Sequence, residues 1–249
     1  MIRWLGALFI YAYLGFFSQV ALAQDIKAEI YSKLKNPRCN MALSECNCPE
    51  AKEIKGYIAG LLDAGTAKDD IFYKVAKKFT LKAISDNGLK LDIENKLIQE
   101  AGENRPQIAL EPKDYFDFGS IDKNQGEVRK VFKLYNRGKA DLVIRNIRVS
   151  CSCVSVSLIK VNEKSPYFGV NGAPEGWRAE LKPNEGADLE VVIDLNHKSV
   201  REGDLLREIM ISSNDPVNPE SSVTVKAKVI DKGASSGQHA QGNSEGPRL

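Results

Sequence analysis

The chain has 249 residues, 43% hydrophobic and 27% charged, a globular composition that excludes wholesale disorder. Lys plus Arg is 35 and Asp plus Glu is 33, so the net charge is +2 and no concentrated basic face for nucleic acid is indicated. With only His197 and His239, a His-rich metal site is excluded and Ser-His-Asp catalysis is disfavoured.

Arg3 precedes an apolar run from Trp4 to Phe17, and Ala21-Leu22-Ala23 makes a small-x-small site before Gln24. This is the pattern of a cleaved secretory signal over residues 1–23, and the run is shorter than the ~20 residues a bilayer span needs. The alternative is an uncleaved N-terminal anchor. The expectation is an exported, periplasmic protein that meets a membrane only through partners or an uncleaved signal. All five cysteines, Cys39, Cys46, Cys48, Cys151 and Cys153, follow that site, where disulfides are permitted. The odd count leaves at least one thiol free, ligated or shared with another molecule.

Residues 24–103 read as helical. Ile26 to Lys35 is a short amphipathic segment stopped by Asn36-Pro37. Pro49 fits the first turn of a helix whose apolar stripe is Ile54, Tyr57, Ile58, Leu61 and Leu62. Gly56 and Gly60 form a small-residue pair expected to mark close packing. Thr66 with Asp69 resembles a capping box for a further helix with Ile71, Phe72, Val75 and Phe79 on its buried face. Asp92 to Ala101 is a last helix or helical linker, and Gly102 to Arg105 is the expected boundary.

From Pro106 the period changes to two. Strands are expected near Ile108–Leu110, Phe116–Ile121, Val128–Asn136, Leu142–Val149 continuing to Leu158, Trp177–Leu181, Ala187–Leu195, Leu205–Ser212 and Val223–Ile230. Short alternating strands without intervening helices indicate an all-β antiparallel sandwich over residues 104–231, and the chain as a whole is α+β with two domains. Residues 232–249 carry no large apolar residue before Leu249 and read as a disordered tail, so His239 is discounted as a ligand.

Cys48 immediately precedes Pro49, placing it at or beside a helix N-cap, where partial positive charge favours a thiolate. Cys39, Cys46 and Cys48 therefore read as a redox-active group, a structural disulfide or, less naturally, metal ligands. Cys151 and Cys153 lie two apart on or ending a strand, so their side chains share a face. At ~6.6 Å between Cα atoms, a bond between them would be strained and oxidising. The apolar parity changes here, from Val149 to Val154, Val156 and Leu158, which predicts a bulge near Cys153. The competing reading is two small apolar residues in a core. Close cysteine pairs with one intervening residue disfavour zinc, and Cys-x-x-Cys-His for covalent haem is absent, so no cofactor or metal is expected.

Two resemblances cover most of the mature chain. CNMALSECNCPEAKEIKGYIAGLLDAGTAKDDIFYKVAKKF, residues 39–79, resembles the CcmH, CycL and NrfF family of cytochrome c biogenesis proteins. That resemblance implies a small three-helix bundle whose Cys-x-x-Cys pair handles the thiols of apocytochrome c in a periplasmic complex. Here the first position of the pair is Asn36, and Cys46 and Cys48 are candidate replacements for the missing partner of Cys39. Residues 106–230, through FDFGSI, FKLYNRGKADLVIRNIRVSCSCV, LKPNEGADLEVVIDL and IMISSNDPVNP, are similar to the DUF1573 family, which implies an immunoglobulin-like sandwich of the ASH and Hydin type. Asn162 to Gly176, with Tyr167 and Phe168 ahead of Trp177, is a longer loop and a candidate partner surface.

Together these point to an exported envelope accessory protein in cytochrome c maturation or related thiol handling, acting by thiol–disulfide exchange or capture of a client cysteine. Cys39, Cys46 and Cys48 are its candidate redox thiols, and Cys151 with Cys153 a second candidate pair. Expected partners are envelope proteins such as apocytochrome c or a maturation complex. If the chain is an enzyme, its activity is thiol–disulfide oxidoreductase-like. The alternative is a non-enzymatic protein-interaction module with structural cysteines, binding by edge-strand addition.

Overall fold

The computed structural model describes residues 25–113, 115–161 and 163–232, which form two compact units divided after Gly102. The expected signal over residues 1–23 and the expected disordered tail from Gly233, with His239, lie outside the described residues. Among the described residues no helix is long and apolar enough to cross a membrane.

Four α-helices build the first unit: α1 over residues 25–32, α2 (Pro49–Asp63), α3 (Lys68–Phe79) and α4 (Asn87–Ala101). The expected three-helix bundle is thereby corrected: α1 buries Ile30 fully and is an element of the core in its own right. Ala51, Ile54 and Ile58 of α2 meet Ile71, Phe72, Val75 and Ala76 of α3, with Ile93 and Leu97 of α4, in the buried set. The chain before Asn36 is pinned by isolated bridges from Leu34 to Ile84 and from Lys35 to Ala42.

Three local expectations change. The N-cap of α3 is Ala67 and no side chain caps it, so the Thr66 box does not form; Asp69 and Asp70 meet the positive helix end instead. The last helix begins at Asn87 rather than Asp92, because the Asp86 carboxylate accepts the Leu89 N–H at 2.9 Å and offsets the cost of Gly88. Gly56 and Gly60 are exposed, and a Cβ on either meets nothing within 4 Å, so this pair does not mark close packing. Gly56→Ala and Gly60→Ala should therefore each stabilise the unit by about 0.5–1 kcal/mol, seen as a higher thermal midpoint. A lowered midpoint would mean that another surface packs against this face.

The second unit holds ten strands in two five-stranded sheets. They are β1 (Ile108–Glu111), β2 (Tyr115–Asp122), β3 (Glu127–Asn136), β4 (Leu142–Val149), β5 (Val154–Lys160), β6 (Glu163–Lys164), β7 (Ala179–Leu181), β8 (Gly186–Asp194), β9 (Gly203–Ser213) and β10 (Glu220–Ile230). One sheet runs β1-β3-β8-β5-β6 and the other β2-β10-β9-β4-β7. Alternate residues of both, including Phe132, Leu134, Val191, Ile193, Ile209, Ile211, Val223 and Val225, share one hydrophobic core, which makes the unit a β-sandwich. Seven of the eight strand pairings among the described residues are antiparallel, but β2 lies parallel to β10, with Phe116 opposite Val225. This corrects the all-antiparallel expectation: the chain changes sheets between β1 and β2, and β2 then runs along the sheet edge in the direction of β10.

The expected continuous strand from Leu142 to Leu158 is broken. β4 belongs to one sheet and β5 to the other, and residues 150–153 form the corner between them. The bulge expected near Cys153 lies instead in β4, where the register with β9 shifts between Ile144 and Asn146. That shift moves the buried set from Leu142 and Ile144 to Ile147 and Val149. Phe168, expected on a partner surface, is 2% exposed and meets Trp177 edge-to-face at 4.8 Å, so it is part of the core.

Buried polar side chains tie the strand ends. Asn136 donates to the carbonyls of Ala140 (2.8 Å) and Leu181 (3.0 Å) and accepts from the Gly138 N–H at 2.9 Å. A Cβ at Gly138 would stand 2.2 Å from the Arg105 carbonyl, so only glycine admits that approach. Asp215, 1% exposed, accepts the N–H groups of Ile108 (3.0 Å), Val217 (2.9 Å) and Asn218 (3.2 Å), with the Arg105 guanidinium 3.8 Å away. Asp215→Ala would leave these donors unpaired, and the expected loss is about 3–5 kcal/mol in urea unfolding. A loss under ~1 kcal/mol would show that the turn after β9 does not need the carboxylate.

Candidate functional site

Two thiol clusters stand out, one in each unit. In the first, Asn36-Pro37 ends the α1 segment and starts a loop that returns through Asn40, held in left-handed backbone at φ 60°, to Cys46 and Cys48. Hydrogen bonds from Asn40 N to Asn36 O and from Cys46 N to Ala42 O fold this loop on itself. Cys39 Sγ is 3.6 Å from Cys46 Sγ, which is 3.2 Å from Cys48 Sγ. All three sulfurs lie within 4.8 Å of one another, and none is in a disulfide. Cys39 is exposed, Cys48 half-buried and Cys46 buried, which grades their access to a partner.

Cys48 is the N-cap of α2 as its place before Pro49 implies, yet its side chain makes no capping hydrogen bond. Its sulfur accepts instead from Asn36 Nδ2 at 2.8 Å, and the same nitrogen stands 3.7 Å from Cys46 Sγ. Asn36 is 1% exposed, and its Oδ1 accepts the Arg38 N–H at 2.8 Å, so its side chain organises the loop as well as the sulfurs. Around the rim, Arg38 pairs with Glu50 at 2.9 Å and Lys55 Nζ donates to the Cys46 carbonyl at 2.7 Å. Three converging thiolates could also hold one soft cation, with a further ligand supplied from outside.

The second cluster occupies the corner between the sheets. Cys151 and Cys153 are not on one strand face as the spacing predicts; they sit in a turn closed by Val154 N donating to Cys151 O at 3.0 Å. The corner is fastened to β9 by Ser150 N to Glu208 O (2.9 Å) and to the end of β8 by Asp194 N to Cys153 O (2.9 Å). Cys151 Sγ lies 3.1 Å from Ser199 Oγ and accepts the Cys153 N–H at 3.3 Å. Cys153 Sγ accepts from Arg207 Nε at 3.1 Å. His197 Nδ1 is 2.8 Å from Ser199 Oγ and accepts the Ser199 N–H at 3.1 Å, while Nε2 is 3.2 Å from Ser152 Oγ. Asp194 and the buried Val200 anchor the loop that carries His197 and Ser199.

Burial pushes the Cys151 thiol up, but hydrogen bonding with Cys153 and Ser199, and the Arg207 charge, outweigh it and hold Cys151 below an ordinary thiol. Burial dominates at Cys153 and, with the Cys151 sulfur beside it, raises that thiol despite Arg207. The sequence brought out both cysteines but not Ser199, His197 or Arg207. The only signal for them is that His197 is one of two histidines in the chain.

The family described as "Protein of unknown function (DUF1573)" matches residues 110–165, a span inside the β-sandwich that includes Cys151 and Cys153. Among solved structures, the chain is similar to a protein of unknown function from Porphyromonas gingivalis W83, at 18% identity and a TM-score of 0.37, over 51% of this chain and 49% of that one. It is also similar to the secreted serine protease VesC from Vibrio cholerae, at 12% identity and TM-score 0.34, over 53% of this chain and 25% of that one. The ASH / PapD-like domain of human CEP192 aligns at 13% identity and TM-score 0.30, over 52% of this chain and 87% of that domain. The chain thus spans about half of the first of these proteins and a quarter of the second. Comparison with curated proteins finds no match.

The opposite shifts of the corner thiols give an order of reactivity. In the reduced chain, Cys151 should alkylate with a midpoint below that of an unfolded thiol and Cys153 with one above it. The depressed Cys151 adds stability above the unfolded thiol pKa, lost as pH falls through its folded value. The raised Cys153 adds stability below the unfolded value, lost as pH rises through its folded one. Residue-resolved iodoacetamide labelling against pH measures both; equal midpoints would contradict the asymmetry.

Proposed function

We propose that this is an exported envelope protein that handles thiols in cytochrome c maturation or a related process, by thiol–disulfide exchange at Cys39, Cys46 and Cys48. The observation that carries the reading is the convergence of the three sulfurs within 4.8 Å, unbonded and graded from exposed to buried. The assignment of the helical unit to the CcmH, CycL and NrfF family, and of the sandwich as immunoglobulin-like, belongs to the same proposal.

In the proposed exchange the exposed Cys39 thiolate attacks a client disulfide, forms a mixed disulfide and releases one client thiolate. Cys46, 3.6 Å away, then attacks Cys39 Sγ, releasing the second client thiolate and leaving a Cys39–Cys46 bond. Cys48, 3.2 Å from Cys46, can take that bond over, moving the disulfide to Cys46–Cys48 and leaving Cys39 as a thiol. In balance, two protein thiols become one disulfide and one client disulfide becomes two thiols. A dithiol reductant in the compartment resets the site.

The test is differential alkylation with mass spectrometry on protein taken from its native compartment without reductant, alongside a C39S/C46S/C48S strain. The expected result is a mixture of thiol and disulfide at these residues that shifts with thiol buffer, together with loss of cytochrome c in the strain. A Cys39–Cys46 or Cys46–Cys48 bond indifferent to mild reductant, with normal cytochrome c, would overturn the reading in favour of an interaction module. Thiols protected until a chelator releases zinc would overturn it in favour of a metal site.

A further inference from the structure

The corner of the sandwich carries chemistry that the helical unit does not explain. Each of its sulfurs has its own donor. Arg207 Nε reaches Cys153 Sγ at 3.1 Å and the Cys153 N–H reaches Cys151 Sγ at 3.3 Å, with Ser199 Oγ 3.1 Å from the same sulfur. Arg207 is held for this task by its other nitrogens, which donate to the carbonyls of Leu206 (2.8 Å) and Ser199 (3.3 Å). Its hydrogen bonds thus run to a sulfur and two neutral oxygens. Donors of this kind bind a thiolate far better than they bind a neutral disulfide sulfur. At Cys151 they outweigh burial and favour the thiolate, and at Cys153 Arg207 offsets part of the cost of burial. To that extent they stabilise the reduced pair relative to the bonded one, and a pair so stabilised is an oxidant.

A second set of contacts supplies a path for the proton. Because His197 Nδ1 accepts the Ser199 backbone N–H, the neutral ring carries its proton on Nε2, which faces Ser152 Oγ. The Ser199 hydroxyl, 2.8 Å from Nδ1, then donates to the ring and keeps a lone pair for the Cys151 S–H. A proton leaving Cys151 passes to Ser199 Oγ as the Ser199 proton passes to His197 Nδ1. Cys151 is half-buried and so reachable, whereas Cys153 is 2% exposed.

We propose that Cys151 and Cys153 form a self-contained disulfide-donor site for client dithiols, in which Cys151 exchanges with the client and Arg207 stabilises the departing Cys153 thiolate. Starting from the Cys151–Cys153 disulfide, a client thiolate attacks Cys151 Sγ; the S–S bond breaks and its electron pair leaves on Cys153, against Arg207. A second client thiolate attacks the client sulfur of the mixed disulfide, and Cys151 leaves as a thiolate beside Ser199. The client gains one disulfide and gives up two electrons to the pair, and its two protons end on the two protein thiols. A small-molecule disulfide such as oxidised glutathione recharges the pair and is itself reduced to two thiols. Ser199 and Arg207 touch the reacting sulfurs; His197, acting through Ser199, is a positioning residue. This site lies in a different unit from Cys39, Cys46 and Cys48, so either proposal can fail without the other.

The test uses the full chain with C39S, C46S and C48S, equilibrated in glutathione buffers, with the oxidation state of Cys151 and Cys153 read by alkylation and mass spectrometry. A reduced two-cysteine peptide serves as client. The expected result is one intramolecular Cys151–Cys153 disulfide that oxidises the peptide at a rate lost in C151S. R207Q should move the equilibrium toward the disulfide by about tenfold, the scale of one charge-assisted hydrogen bond, with R207K recovering part of it. H197A should move the pH midpoint of Cys151 alkylation upward without changing the stoichiometry. If the triple variant does not fold, the same residue-resolved readout is made on the natural chain. Single glutathionylation of Cys151 with no bond to Cys153, or an R207Q equilibrium equal to that of the natural residue, would overturn the proposal.

Discussion

The sandwich depends on one crossing. β4 ends in one sheet and β5 begins in the other, so the chain must pass between layers roughly 10 Å apart within residues 150–153. Such a turn leaves the sheet ladders and needs partners for its backbone. It finds them on both sides, in Glu208 of β9 and Asp194 of β8. The same fastening brings Arg207 and the loop of His197 and Ser199 against the two cysteines. The geometry of the thiols is thus a by-product of how the two sheets are joined, with the corner hydrogen-bonded to both. A site supported in this way holds its donors without any rearrangement of loops.

The two clusters differ in how they are built. In the helical unit everything is local: Asn36, Cys39, Cys46 and Cys48 span one short loop, and their contacts follow from a turn and a helix start. In the sandwich the side-chain partners of the cysteines, Ser199 and Arg207, lie 48 and 54 residues further on. The helical cluster presents sulfur beside sulfur, with an amide as the main donor. The corner presents each sulfur to a distinct polar group, one of them permanently charged. Interchange among neighbouring sulfurs suits the first arrangement, whereas separate stabilisation of two departing thiolates suits the second.

That difference also explains what could be read from the sequence. The strands were legible because alternation of apolar residues is local, and all the expected ones exist apart from the break at the corner. Their sheet partners were not, because most consecutive strands lie in different sheets, and among the described residues only β5–β6 and β9–β10 pair as consecutive neighbours. The start of α4 was hidden by Gly88, whereas α1 falls within the amphipathic segment read from Ile26 to Lys35. The cysteines were legible as residue types, and Cys48 as an N-cap, but Ser199, His197 and Arg207 carry no mark of their own. The Asn136-Arg137-Gly138 and Asn214-Asp215-Pro216 turns, which made the sandwich recognisable, serve to satisfy buried backbone groups and take no part in either thiol cluster. Motifs of this kind report a fold and say little about chemistry.

The order in which the corner is assembled follows from the spacing of its parts. A ribosome adding 5–20 residues each second delivers Arg207 about 3–11 s after Cys153. Until then the two cysteines belong to an unfinished sheet and react as ordinary thiols. β2, the edge strand beside β10, waits longer still for its partner. Newly made chains therefore pass through a period in which Cys151 and Cys153 are open to wrong pairing with the three cysteines that precede them. The two thiols are therefore made, and can react, before the arginine that tunes one of them.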